Sequence, residues 1–234
     1  MFKNVIKLPA FSPYAAGSDF SLRIPVTWTY QNIMIEFSGV TPAQLKNLEL
    51  RVNGKPLQRY SSAQVLIDIN TFHKRSDDAT DGVLNFWQIR PELLNMIERQ
   101  MTALGTADLS TVTLHGEIDA AAAAPVLSAH AEVSKNQPAG LLNHVREYVA
   151  SFGTTGQLEI DNLPTPARAS LAAIHLGKSD ISDLEIYVDN RPIWDATKAL
   201  GEKILKNRNK TSVSARYTHA EFIGKGSLND SFKF

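Results

Sequence analysis

The chain has 234 residues, and its 24 lysines and arginines balance 24 aspartates and glutamates, so the formal net charge is zero. At about 150 residues per domain this length allows one large or two ordinary domains, and 43% apolar with 21% charged residues excludes a disordered chain. The lack of cysteine removes disulfides, thiolate metal sites and thiol catalysis together, and the balanced charge argues against direct nucleic-acid binding. No stretch reaches the roughly 18 apolar residues of a transmembrane segment. Lys3 and Lys7 interrupt the apolar N-terminal stretch, so no signal peptide is expected, and the sequence reads as soluble and non-secreted.

In chain order the pattern is mostly that of strands. Phe20, Leu22, Ile24 and Val26 alternate with other residues, the period of a half-buried strand. Tyr30 to Ser38 is a second strand, and Thr41-Pro42 reads as the start of a short helical turn ending near Leu45. Leu48, Leu50 and Val52 alternate into Asn53-Gly54, a hairpin signal, because both turn residues must tolerate positive φ. A helix follows from Ser61 or Ser62 to Phe72, then a polar loop from His73 to Gly82 and a strand from Val83 to Arg90. Pro91 begins a predicted helix with Leu93, Leu94, Ile97 and Met101 at helical spacing, stopped by Gly105. Strands are expected over Thr111–Asp119 and Val126–Val133.

Asn136 to Gly140 is the best candidate linker by its turn-former content, which places domains at 1–138 and 139–234. Leu141 to Phe152 fits a helix by period and a strand by composition. Strands are expected at Leu158–Ile160, Leu171–Leu176 and Leu184–Val188, then a helix over Asp195–Lys206, a strand or hairpin within Thr211–Ile223 and a short last strand over Leu228–Phe234.

An internal repeat organises these elements. Residues 48–57 read LELRVNGKPL and residues 184–193 read LEIYVDNRPI. Leu48/Leu184, Glu49/Glu185, Val52/Val188 and Pro56/Pro192 are identical, and Gly54/Asn190 are the residue types best at positive φ. Each copy is followed by a helix. A strand–turn–strand–helix unit therefore occurs twice, 136 residues apart, a period the size of a whole domain. Two β-rich halves of short strands with inserted helices predict two tandem sandwiches.

Reactive chemistry is not legible. His73, His115, His130, His144, His175 and His219 are scattered without a close ligand pair, and read as hydrogen-bonded or half-exposed residues. No nucleophile elbow, phosphate loop or dinucleotide fingerprint is present. Asp77-Asp78-Ala79-Thr80-Asp81-Gly82 meets the calcium-loop pattern at Asp77, Asp81 and Gly82 and misses it at Ala79 and Gln88. It reads as a solvated loop tip, with Asp77 and Asp81 as weak candidate metal ligands.

Several segments resemble the major capsid proteins of corticoviruses, the tailless, membrane-containing icosahedral phages of marine bacteria. They are SGVTPAQLKN (38–47), FHKR (72–75), IRPE (89–92), QMTALGTADLST (100–111), EIDAAAAAPVLSAHA (117–131) and NLPTPARASLAAIHL (162–176). The resemblance implies a mainly β double jelly roll and no enzyme activity. It implies three subunits forming a pseudo-hexagonal homotrimer that tiles a virion capsid over an internal membrane, beside other capsid and membrane-associated virion proteins. It also implies synthesis in the bacterial host cytoplasm and structural calcium at subunit contacts, without naming ligands. Only 28 residues follow Lys206, so the second sandwich is expected to be short of closing strands, as in a reduced, truncated or prophage-derived copy. The alternatives are a carbohydrate- or ligand-binding β-sandwich module, which needs a row of exposed aromatics, and a cupin-type enzyme, which needs clustered metal ligands.

Overall fold

The computed structural model describes residues 4–75, 81–150, 156–161, 163–164, 169–213, 215–223, 227–228 and 231–233. Alternating apolar residues close the first half into two four-stranded antiparallel sheets. One runs in the order β1 (Asn4–Lys7), β8 (Val126–Ser134), β3 (Thr29–Ser38), β6 (Val83–Trp87). The other runs β2 (Asp19–Ile24), β7 (Val112–Ile118), β4 (Leu45–Val52), β5 (Lys55–Ser62). Eight strands so ordered in two sheets make a jelly roll. The inward residues, among them Leu22, Ile33, Leu50, Leu84, Phe86, Leu114 and Ala131, are completely buried. Gly116 is required by this packing, because a Cβ there would lie 2.4 Å from the Phe20 ring and 2.7 Å from Leu48. Strand β1 lacks an alternating signal because it is mostly exposed; main-chain pairing with β8 holds it.

Between β5 and β6 lies α1 (Ala63–Phe72), which buries Ala63, Leu66, Ile67 and Phe72 and begins after Ser62, as expected. The helix expected from Pro91 shrinks to α2 (Met96–Gln100). The turn before it is consumed by buried Leu93, whose carbonyl accepts from Arg99 Nε, and helical geometry starts only where Asn95 caps the Ile97 N–H at 2.9 Å. Its apolar residues meet no core, so no packing face extends the helix.

The segment expected as a linker is tied to the first unit. Asn136 Oδ1 accepts from the Thr106 N–H at 3.2 Å, the Gln137 N–H donates to Thr29 Oγ1 at 2.9 Å, and the Ala139 N–H donates to Asp108 Oδ1 at 2.7 Å. A side chain at Gly105 would strike the carbonyls of Pro138 and Gln137, at 2.2 and 2.5 Å. Val145 then pairs with the edge of β5, exchanging bonds of 3.1 Å with Arg59 and Leu57. Residues 141–150 hold neither a helix nor a regular strand. The compact units accordingly divide at Arg146/Glu147, eight residues beyond the sequence boundary at 138/139.

The second unit carries β9 (Ser170–Leu171), β10 (Ala173–Leu176), β11 (Asp183–Val188), β12 (Arg191–Thr197), α3 (Lys198–Asn207), β13 (Thr218–Glu221) and β14 (Phe232–Lys233). The strand expected at Leu158–Ile160 is absent, its residues lying largely exposed and unpaired in any ladder. The paired ladders are β10 with β13, β11 with β12 and β9 with β14.

The repeat is structural as well as sequential. In the first unit β3 leads to the β4–β5 hairpin, then α1, then β6, which returns to pair with β3. In the second, β10 leads to the β11–β12 hairpin, then α3, then β13, which returns to pair with β10. Both turns use the left-handed region: Asn53 and Asp189 at φ 49°, Gly54 at 76° and Asn190 at 61°. Both ladders slip at the same place, between Leu50 and Arg51 and between Ile186 and Tyr187, and set Pro56 against Arg51 and Pro192 against Tyr187. β9 precedes β10 and pairs with β14 as β2 precedes β3 and pairs with β7, and among the described residues no strands of the second unit stand where β1 and β8 stand in the first.

Candidate functional site

Each unit encloses ionisable side chains. In the first, Glu92 is buried and receives Arg75 through two bonds, of 2.7 and 3.0 Å. Arg90 and His73 each stand 3.6 Å from the same carboxylate. Burial pushes the Glu92 carboxyl up, but the Arg75 and Arg90 charges and the Arg75 hydrogen bond outweigh it and hold the group below its ordinary range. This is a charge-neutralising knot, since the forked guanidinium fills both carboxylate oxygens. Arg90 also donates to Asn143 Oδ1 at 3.1 Å. The knot thus joins the end of α1, the loop after β6 and the segment leading to Val145.

In the second unit His175 and His219 face each other across β10 and β13, Nδ1 to Nδ1 at 2.7 Å. His219 Nε2 accepts from the Val213 N–H at 3.2 Å, so its proton sits on Nδ1 and is donated to His175. Burial pushes the His219 imidazole down to about 4, so this ring is neutral at pH 7. Tyr217 stacks on His219, and the buried Lys210 ammonium meets Glu221 at 2.8 Å. A cavity of about 10 Å3 lined by Trp194, Gly201, Leu205 and His219 lies beside them, room for at most a single water and none for a substrate.

Of the other histidines, His115 is lowered by burial and then by Arg51, His144 by burial and then by Arg146. His130 lies 3.7 Å from Glu36 on the outer face of its sheet. Among the described residues, no three histidine or acidic side chains converge to hold a metal ion. Asp81 is an exposed residue at the foot of its loop, and Asp77 lies outside the described residues. None of the three tryptophans is exposed: Trp28 packs against the core, Trp87 is half-buried and Trp194 is buried beside Phe222 and Arg208. The tryptophans therefore supply no exposed row of the kind a sugar-binding face requires.

What the molecule offers is surface. Apolar exposure gathers on the α2 loop, where Leu94, Met96 and Ile97 are 71%, 74% and 76% exposed and Met101 joins them. Isolated exposed apolar residues, among them Val5, Val126, Tyr187 and Leu200, are dispersed elsewhere.

Comparison with known proteins explains this character. Residues 5–134 match the family model of the viral coat protein P2 N-terminal domain, and residues 142–234 match that of the P2 C-terminal domain. The chain belongs to the P2 viral coat protein family. It is 33% identical over 235 residues to the major capsid protein P2 of Pseudoalteromonas phage PM2, covering 98% of this chain and 86% of that one. The crystal structure of the PM2 protein superposes with a TM-score of 0.92 at 31% identity, covering 99% of this chain and 87% of that one. The STIV MCP superposes at 0.64 with 10% identity, covering 100% and 88% of the two chains. The PBCV-1 virus capsid gives 0.57 with 12% identity, covering 100% and 80%. These likenesses establish the double jelly roll. A P2 coat protein is a structural capsid component and not an enzyme. The signal that sequence reasoning missed is the α2 loop: its helical spacing looked like a core face, and only its lack of a partner marks it as surface.

Proposed function

We propose that this P2 coat protein builds its lattice from homotrimers in which three chains present six similar sandwich units, so that one gene product tiles a pseudo-hexagonal array. The repeated strand–hairpin–helix–strand order, with its matching turns and matching ladder slips, carries the reading. Two alike units per chain give a three-fold assembly nearly six-fold edges. Lattice cohesion then comes from many modest contacts acting together. In this reading the shell overlies an internal membrane and meets other virion proteins, and the chain is made in the host cytoplasm before assembly. Structural calcium enters only as an ion shared between copies, because Asp81 alone is one exposed carboxylate.

Light scattering on the purified chain tests the proposal directly. A mass three times that of the protomer is expected, with hexagonal arrays by electron microscopy at higher concentration. A strict monomer throughout would overturn it. Dialysis against a chelator tests the ion: calcium-bridged trimers should dissociate, and indifference to chelation removes calcium from the scheme.

A further inference from the structure

We propose that the α2 loop of the first unit is a preformed contact between copies of the chain, a short apolar knob that closes against a second copy; this rests on the lattice reading above and names its contact. Four observations carry it. The knob is rigidly built although it buries nothing of its own. Leu93 anchors its base, Asn95 caps its helix, Arg99 is bonded back to the Leu93 carbonyl, and the Arg90 N–H donates to the Arg99 carbonyl at 2.9 Å. A chain that spends hydrogen bonds to hold apolar side chains in water holds them for a partner.

The exposed residues are also adjacent. Leu94, Met96, Ile97 and Met101 share one loop, and exposed Leu141 follows Gly140, which runs beside the Met101 carbonyl. Four such side chains supply about 400 Å2, roughly half of the ~800 Å2 per partner of a standard interface. The remainder would come from the polar rim around them.

Charge then selects the occupant. Residues 91–101 contain no lysine, and their only arginine, Arg99, is turned back onto Leu93. An anionic bilayer surface would find no cations to grip. An apolar knob is chemically its own complement, because apolar burial is non-directional. A chain of zero net charge approaches its copy without net repulsion. In a protein whose family assembles coats, a second copy is the occupant that fits.

The test is a double variant, Met96→Gln with Ile97→Gln, compared with Leu200→Gln on the second unit. All three positions are exposed, so circular dichroism and melting should match wild type. The expected result is at least a tenfold weaker self-association of the double variant by sedimentation, with Leu200→Gln assembling normally. Unchanged association of the double variant overturns the proposal. So does undisturbed assembly with loss of binding to phosphatidylcholine vesicles, which would make the loop a membrane contact. A wild-type chain that never associates is a separate failure: it sinks the trimer reading itself, and this contact falls with it.

Discussion

The two units share a topological frame and differ in what fills it. The first closes two complete sheets over an apolar interior, with Phe20, Phe86 and Tyr30 fully buried. The second holds its ladders around a smaller apolar set, Trp194, Leu205, Ala220 and Ile223, with Thr218, His219, Lys210 and Glu221 buried among the polar groups beside it. The difference teaches that one strand order can be stabilised by two chemistries. Apolar burial is indifferent to pH; the buried His219 imidazole is not.

The largest expected effects strike the first unit. Phe86→Ala removes a fully buried ring packed edge-on to Tyr60, and should cost about 3–5 kcal/mol in denaturant melts. Glu92→Gln leaves Arg75 buried without its counter-charge and should cost a similar ~3–5 kcal/mol. If either variant melts like wild type, the first unit is not held by its interior.

Acid should separate the units next. The His219 imidazole titrates at 6.5 in the unfolded chain and about 4 in the folded one, so the unfolded state takes up its proton first. The contribution of the neutral His219 ring is therefore complete above pH 6.5 and declines as pH falls towards 4. Its slope is about 1.4 kcal/mol per pH unit, for a total near ~3 kcal/mol. Amide exchange of β10 and β13 should accelerate across that window while β3 and β6 stay protected. The Glu92 carboxyl, held low, remains ionised through most of it. Equal acceleration in both units would erase the contrast.

Smaller effects sharpen it. Gly116→Ala drives a methyl into the Phe20 ring and should cost about 1–3 kcal/mol, with loss of near-ultraviolet ellipticity. Gly54→Asn copies the residue of the second turn into the first, where nothing stands within 4 Å of a new Cβ. It should change stability by no more than about 0.5 kcal/mol, whereas Gly54→Val should cost ~1–2 kcal/mol for forcing a branched residue to positive φ.

Much of this is legible in the sequence. Strands β2, β3, β4, β7, β8 and β11 announce themselves by period-two alternation, and both hairpin turns by Asn53-Gly54 and Asp189-Asn190. The repeat was visible because turn chemistry constrains residue type. The Asn136–Gly140 stretch has linker composition and falls between the stretches matched by the two domain families, but composition cannot report that it docks beside Gly105, some thirty residues away. The rest was hidden for tertiary reasons. The spacing of Leu93, Leu94, Ile97 and Met101 satisfied a helix, but only a packing surface turns such spacing into one. The loop candidates Asp77 and Asp81 rest on a partial motif, and residues 76–80 of that loop lie outside the described residues. The His175–His219 pair joins residues far apart in sequence and was invisible until β10 met β13.

The matched ladder slips have a consequence for ancestry. A bulge is one residue of offset, and deleting it from either hairpin would turn every side chain beyond it to the opposite face. Once inherited by both descendants of a duplicated gene, it cannot drift away by single substitutions, whereas side chains can. Only four of the ten aligned hairpin positions have stayed identical, yet the offset sits at the same step in both. Backbone irregularity is thus the slower clock, and the mark by which a fused pair of sandwiches could be traced in descendants whose sequences no longer betray their common parent.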